Sequence, residues 1–213
     1  MKQNENGRSM IEMLGVLAIV GVLSVLGLAA YNKAISKYKC NQTIHYITQI
    51  AQQTRIAFGS QRNYSGLGSS VDEIRNVMFT ADLAPKEMLV NIDENGEYVA
   101  PYIFKNPFKG DVSLRIADQS IVGDQMAFII RFENLPKSAC IEVATSVWGN
   151  ASSSGFVGMT INQANNLLST TCVSSAIEQK GSAVHCGKKS VMPAVAAANA
   201  CLQSGNYIEL KFY

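Results

Sequence analysis

Residues 13–31 read MLGVLAIVGVLSVLGLAAY, nineteen positions without a charge. As an α-helix rising about 1.5 Å per residue, this run spans about 28 Å, the thickness of a bilayer core. A secretory signal peptide has a shorter apolar stretch of about 7 to 15 residues followed by a small-residue cleavage site. Here the run continues without a break into NKAISKYKCNQTIHYITQIAQQTRIAF, and the first proline is Pro85. With no helix breaker, the pattern predicts one helix over residues 9–58, apolar all round in its first half and amphipathic in its second. In that second half Ile35, Tyr38, Tyr46, Ile47, Ile50 and Ala57 supply apolar positions at near-helical spacing. The first half needs lipid or other helices around it, and the second needs a domain to lie against.

The rest of the chain is that domain. At 213 residues there is room for one core plus an extension. Eighteen basic against sixteen acidic side chains, a net charge of +2, exclude the strong basic footprint of a dedicated nucleic-acid binder. The five cysteines are Cys40, Cys140, Cys172, Cys186 and Cys201, and none sits in a C-x-x-C pair. Metal-finger and thioredoxin-type spacings are therefore absent, and structural disulfides in an oxidising compartment are the expected use. Two bridges and one spare thiol allow five choices of spare times three pairings, about fifteen arrangements.

Residues 59–70 are rich in glycine and serine and read as a loop leaving the long helix. Ser70 and Glu73 then form a capping-box pattern that opens a short helix over residues 71–79. Asn95-Gly96 predicts a β-turn, because the surrounding acidic residues lack the ligand spacing of a calcium loop. Runs at 112–116 and 126–132, joined by a turn containing Gly123 and Asp124, predict a hairpin. Pro136 and Pro193 open two further helices, one running through Cys140, Ile141, Val143 and Ala144 and the other over residues 194–201. The chain closes on an alternating strand over 207–213, with Ile208, Leu210 and Phe212 on one face. The fold class is therefore α+β: a long N-terminal helix packed on an antiparallel sheet, with a disulfide-bonded C-terminal region.

Catalytic chemistry has little to stand on. His45 and His185 are accompanied by no nucleophile motif and read as surface or packing residues. There is no phosphate-cradling glycine loop, no metal-ligand cluster and no scaffolded carboxylate pair, so no enzyme activity, metal or cofactor is expected.

The remaining anomaly is Glu12, a carboxylate at the head of the apolar run. A charge near the centre of a bilayer costs at least about 2.5 to 3.5 kcal/mol and less near an interface, so such a residue is a functional candidate. The alternative is a carboxylate that stabilises the helix N-terminus near the headgroups. Before it stand a polar leader ending in glycine, MKQNENG, and then Arg8-Ser-Met-Ile-Glu12. This arrangement resembles the class III signal of type IV prepilins, and RSMIEMLGVLAIVGVLSV is similar to members of the type IVb branch. The family usually has a bulky apolar residue where this chain has Arg8. The resemblance implies cleavage between Gly7 and Arg8 by a prepilin peptidase and N-methylation of the Arg8 amine. It also implies that Glu12 pairs with that amine on a neighbouring subunit during assembly. Gly15, Gly21 and Gly27, spaced by six, fit either close helix packing with local melting or the ordinary tolerance of membrane helices for glycine.

The segment LPKSACI at 135–141, Trp148, a Gly/Ser-rich loop and a late cysteine before the last strand also resemble the C-terminal half of type IVb pilins. That resemblance implies Cys140 paired with Cys201, which leaves Cys172 with Cys186 and sets Cys40 outside the bridges. A bridge from Cys40 into the domain stays open as an alternative. The implied organisation is a cleaved leader at 1–7, a helix at 8–58 divided at 31/32, and a head domain at 59–213. The implied function is a structural subunit of a type IVb-like pilus for adhesion, motility or DNA transfer. It would be inserted in the bacterial inner membrane as a precursor and then carried on the cell surface. Its partners would be further copies of itself, the prepilin peptidase, and the assembly platform with its ATPase. A type II secretion pseudopilin, or a single-span envelope binding protein with an uncleaved anchor, are the competing readings.

Overall fold

The structure is a computed structural model that describes residues 10–61, 63–117, 127–149, 154–163, 177–186 and 191–213. The first helix, α1, runs unbroken over Met10–Phe58 for 49 residues, as the absence of proline requires. The chain forms two compact units, residues 1–38 and 39–213, whose boundary falls inside α1.

In the second unit, α1 buries Cys40, Thr43, Tyr46, Ile47, Ile50, Ala51, Thr54 and Phe58, mostly in steps of three and four that keep one face inward. Of the expected positions, Tyr46, Ile47 and Ile50 are buried, whereas Ile35, Tyr38 and Ala57 are exposed and the small or weakly polar Cys40, Thr43, Ala51 and Thr54 fill out the buried face. Thr43 can be buried because its hydroxyl donates to the Lys39 carbonyl at 2.8 Å.

Among the described residues, six strands make one sheet in the order β1-β2-β6-β3-β5-β4, and every neighbouring pair is antiparallel. They span Val112–Ile116 (β1), Phe128–Leu135 (β2), Phe156–Ile161 (β3), Ile177–Gln179 (β4), Ser182–Cys186 (β5) and Asn206–Phe212 (β6). The expected hairpin is present as β1 and β2, with Leu114 opposite Ile130. Its second strand starts at Phe128 and runs on to Leu135, while Gly123 and Asp124 lie outside the described residues. The C-terminal strand sits in the middle of the sheet, Leu210 facing Ile130 on one side and Met159 on the other. Ile208, Leu210 and Phe212 enter the main core with Phe128, Ile130 and Phe132 of β2 and with Ile47 and Ile50 of α1.

The other face of β6 is buried as well, which simple alternation does not predict. Glu209 is 1% exposed and lies between Arg115 Nη2 at 2.9 Å and Arg131 Nη1 at 3.4 Å, a two-armed pairing that makes a buried carboxylate tolerable. The Arg131 guanidinium also stacks 4.1 Å from the centre of the Tyr207 ring. Its Nε lies 2.7 Å from Glu133 Oε1, a charge contact in which the N–H makes no hydrogen bond.

The helices follow their sequence signals. Helix α2, Val71–Thr80, opens on the expected capping box: Ser70 Oγ accepts from the Glu73 amide, and Glu73 Oε2 accepts from the amides of Ser69 and Ser70. The Ser69 amide is the main reason that the Glu73 carboxyl titrates below its ordinary value. Helix α3, Lys137–Ala144, begins just after Pro136, and α4, Ala194–Ala200, begins where expected and ends one residue earlier, so each proline is the N-cap and not a first-turn residue. At Asp93, a side-chain oxygen accepts from the amides of Asn95 and Glu97, closing the turn that Asn95-Gly96 predicts.

Covalent and polar cross-links hold the C-terminal region. Cys140 on α3 is bonded to Cys201, which caps the end of α4, across 61 positions and a Cα–Cα distance of 6.0 Å. Cys40 takes no part in a disulfide and is buried on α1, so the alternative bridge from the helix into the domain is not made. Cys186 is disulfide-bonded, and Cys172 lies outside the described residues.

The polar cross-link is built on two asparagines. Asn206, fully buried at the start of β6, donates to the carbonyls of Leu135 at 2.9 Å and Leu202 at 2.8 Å, and accepts from the Leu202 amide at 2.6 Å. Asn162, at the end of β3, reaches Asn206 Oδ1, the Gly181 carbonyl and the Ala200 carbonyl, and accepts from the Tyr207 amide at 3.0 Å. Two asparagine side chains thus satisfy backbone groups at the ends of β2, β6 and α4 and in the turn between β4 and β5.

Asn206→Leu strips these partners while keeping the volume, and we expect a loss of about 2 to 4 kcal/mol of stability, read by urea unfolding. Cys201→Ser opens a 61-position loop, and the chain-entropy relation gives a loss of about 4 kcal/mol. Subunit abundance in cells should fall with it, and a variant that accumulates normally would contradict a stapling role.

Candidate functional site: the apolar half of the first helix

In the N-terminal unit the described residues are the first part of α1. Its large apolar side chains are exposed on every face: Ile11, Leu14, Leu17, Ile19, Leu23, Val25 and Leu28 each show about half or more of their surface. The helix is long and apolar enough to cross a membrane, and none of its most apolar window is buried within the chain. A cylinder of this kind is unfavourable in water and is satisfied by hydrocarbon or by other helices. Ser24, the one serine in the run, is accommodated by donating to the Val20 carbonyl at 2.7 Å.

Glu12 stands in the first turn of α1, where a carboxylate meets the positive end of the helix dipole. It is exposed. Gly7 and Arg8, the other two positions of the implied processing and assembly site, lie outside the described residues. A side chain placed at Gly15, Gly21 or Gly27 would meet nothing within 4 Å, so no contact inside this chain requires glycine at these positions.

The histidines do not form a site. His45 is exposed on α1, whereas His185 is buried in β5 beside the bonded Cys186, a packing position and not a surface one. Among the described residues, no group of three or more His, Cys, Asp or Glu side chains is placed to hold a metal ion. Trp148, part of the C-terminal pattern, is buried and donates its indole N–H to the Val143 carbonyl of α3 at 3.0 Å.

No curated protein sequence matches the chain significantly. The family model described as PilS N terminal matches residues 37–201. Solved structures share the fold, among them two pilins. The type IVb pilin of Salmonella typhi superposes with a TM-score of 0.51 at 18% identity, covering 80% of this chain and 97% of that one. TcpA, a type IV pilin of Vibrio cholerae El Tor biotype, gives a TM-score of 0.51 at 11% identity, covering 83% and 99% respectively. At such identities the likeness speaks for the fold alone, and it is the family match across most of the domain that decides membership. With its long apolar helix, central C-terminal strand and Cys140–Cys201 bridge, the chain belongs to the PilS N-terminal family and is a type IV pilin.

Proposed function

We propose that this pilin is the building block of a type IVb-like surface filament, held in the inner membrane as a precursor and polymerised through α1. The observation that carries the proposal is the apolar, all-round exposed first part of α1 joined to a well-packed domain. Lipid satisfies that surface before assembly, and helices of other copies satisfy it afterwards.

Cleavage between Gly7 and Arg8 by the prepilin peptidase exposes a new amine on Arg8, which is then methylated. Glu12 pairs with that amine on a neighbouring copy as subunits leave the membrane. The pairing supplies the counter-charge that a carboxylate needs in an apolar bundle, where an isolated charge is expensive. Delivery to the growing filament falls to the membrane assembly platform and its ATPase. In the head domain, residues 59–213, the Cys172–Cys186 bridge joins Cys140–Cys201 as a second staple. The disulfide-closed C-terminal region favours a pilus subunit over a secretion pseudopilin. The role is structural throughout, with no catalytic step assigned to the chain.

Two measurements on envelope fractions test this. Intact mass of the filament protein should give a chain starting at Arg8 and carrying one methyl group. A chain starting at Met1, or cut near Ala29 or Ala30, contradicts the processing and supports a permanently tethered protein. Glu12→Ala should leave the amount of membrane-inserted subunit unchanged while filament yield falls about tenfold or more. Normal filament yield from that variant rules out the pairing with the Arg8 amine.

A further inference from the structure

An open filament needs a heterologous contact: one patch of each copy meets a different patch of the next, so the domain must carry two complementary surfaces. Its charges are divided in that way. Residues 71–97 hold seven acidic side chains against two basic ones, a net −5, whereas residues 136–205 hold four lysines against two glutamates, a net +2.

The basic surface is a groove of about 560 Å³ between the start of α3, the end of α4 and the turn that joins β4 to β5. Lys137 and Lys180 flank it, and the half-exposed Leu202 gives it an apolar lining. Among the described residues neither lysine forms an ion pair. Helix stability does not account for Lys137, because a cation in the first turn of α3 opposes the helix dipole. The groove is firmly held. The Cys140–Cys201 bridge ties α3 to the residue before Leu202, and the Gly181 amide donates to the Asn199 carbonyl at 3.0 Å, fixing Lys180 beside α4.

The acidic surface centres on a tight turn. Asp93 uses its carboxylate inside that turn, and its amide donates to the Glu97 carbonyl at 2.9 Å. Glu94 and Glu97 are left exposed, and neither forms an ion pair among the described residues. Val90 and Ile92 beside them are half-exposed. Two carboxylates on a rigid turn with an apolar edge match two ammonium groups on a rigid groove with an apolar lining.

We infer that the turn at residues 93–97 of one copy docks in the Lys137–Lys180 groove of the next, with Glu94 and Glu97 facing the two ammonium groups. The argument for a second copy is this charge complementarity within one chain. It rests on the filament reading above and adds which surfaces of the domain meet. Charge pairs at such a contact fix the register of the partners and weaken with salt.

Carbodiimide treatment of sheared wild-type filaments joins carboxylates to amines only where the two groups touch. Peptide mapping should find Lys137 or Lys180 linked to Glu94 or Glu97 in covalent dimers from filaments, and no such link in detergent-solubilised single subunits. Filaments without these links, or links already present in the single subunit, overturn the docking. Lys137→Glu/Lys180→Glu and Glu94→Lys/Glu97→Lys should each lower filament yield about tenfold at unchanged subunit abundance, and the chain carrying all four should recover about half of the wild-type yield or more. Full yield from either reversal, or no recovery in the fourfold variant, also overturns it. Where a reversal lowers subunit abundance, the carbodiimide map on the wild-type filament decides alone. A wild-type chain that forms no filament removes the pilus reading itself, whereas filaments lacking the cross-links remove only this contact.

Discussion

A single unbroken helix has to satisfy two incompatible surroundings, and the rest of the molecule follows from that constraint. From Cys40 to Phe58, α1 places one face in the core of a domain. From Met10 to Tyr38 it finds no burial inside its own chain, although it is apolar all round. The first stretch cannot be stable in water as a monomer's surface, and the second cannot leave the domain without uncovering Ile47, Ile50 and Phe58. Continuity of the helix couples the two: whatever environment receives the apolar half must also accept a folded domain joined to it. A filament with helices gathered together and domains outside meets that requirement.

The domain meets its side of the constraint by putting its last strand in the centre. Because β6 hydrogen-bonds to both β2 and β3, the sheet cannot close until the chain end has been placed. That topology depends on long-range pairing, and two devices hold it. The Cys140–Cys201 bridge removes loop entropy from the unfolded chain, while Asn162 and Asn206 satisfy backbone groups at the strand and helix ends around β6. The second sheet face is handled by charge, with Glu209 held between two arginines.

Much of this was legible in the sequence wherever one physical signal dominated. The missing proline and uninterrupted apolarity marked α1, Ser70 and Glu73 marked the start of α2, runs of strand-forming residues marked β1 and β2, and alternation marked β6. Strand β3 was not legible, because FVGMTI is buried on both faces and contains Gly158, so it shows no period of two. The inward stripe of α1 was legible at Tyr46, Ile47 and Ile50 and misread elsewhere for a related reason. Thr43, Thr54 and Cys40 are too small and polar to count as apolar in a pattern, yet they suit close packing, whereas the larger Ile35 and Tyr38 stay exposed. Glu12 stood out as a charge against an apolar run. The bridge between Cys140 and Cys201 came from family resemblance, since spacing alone left the pairing open, and the Glu209 cluster needed the strand register to bring together residues 78 and 94 positions apart.

The central claim is that the apolar half of α1 is covered by other copies of itself. Electron cryomicroscopy of filaments sheared from cells that produce this chain tests it most directly. The account predicts a helical assembly in which residues 10–38 of neighbouring copies pack together along the axis, with the disulfide-closed domains outermost. Filaments whose axis is built from another protein, or a chain found only as a membrane-bound monomer under conditions that yield filaments, would contradict it.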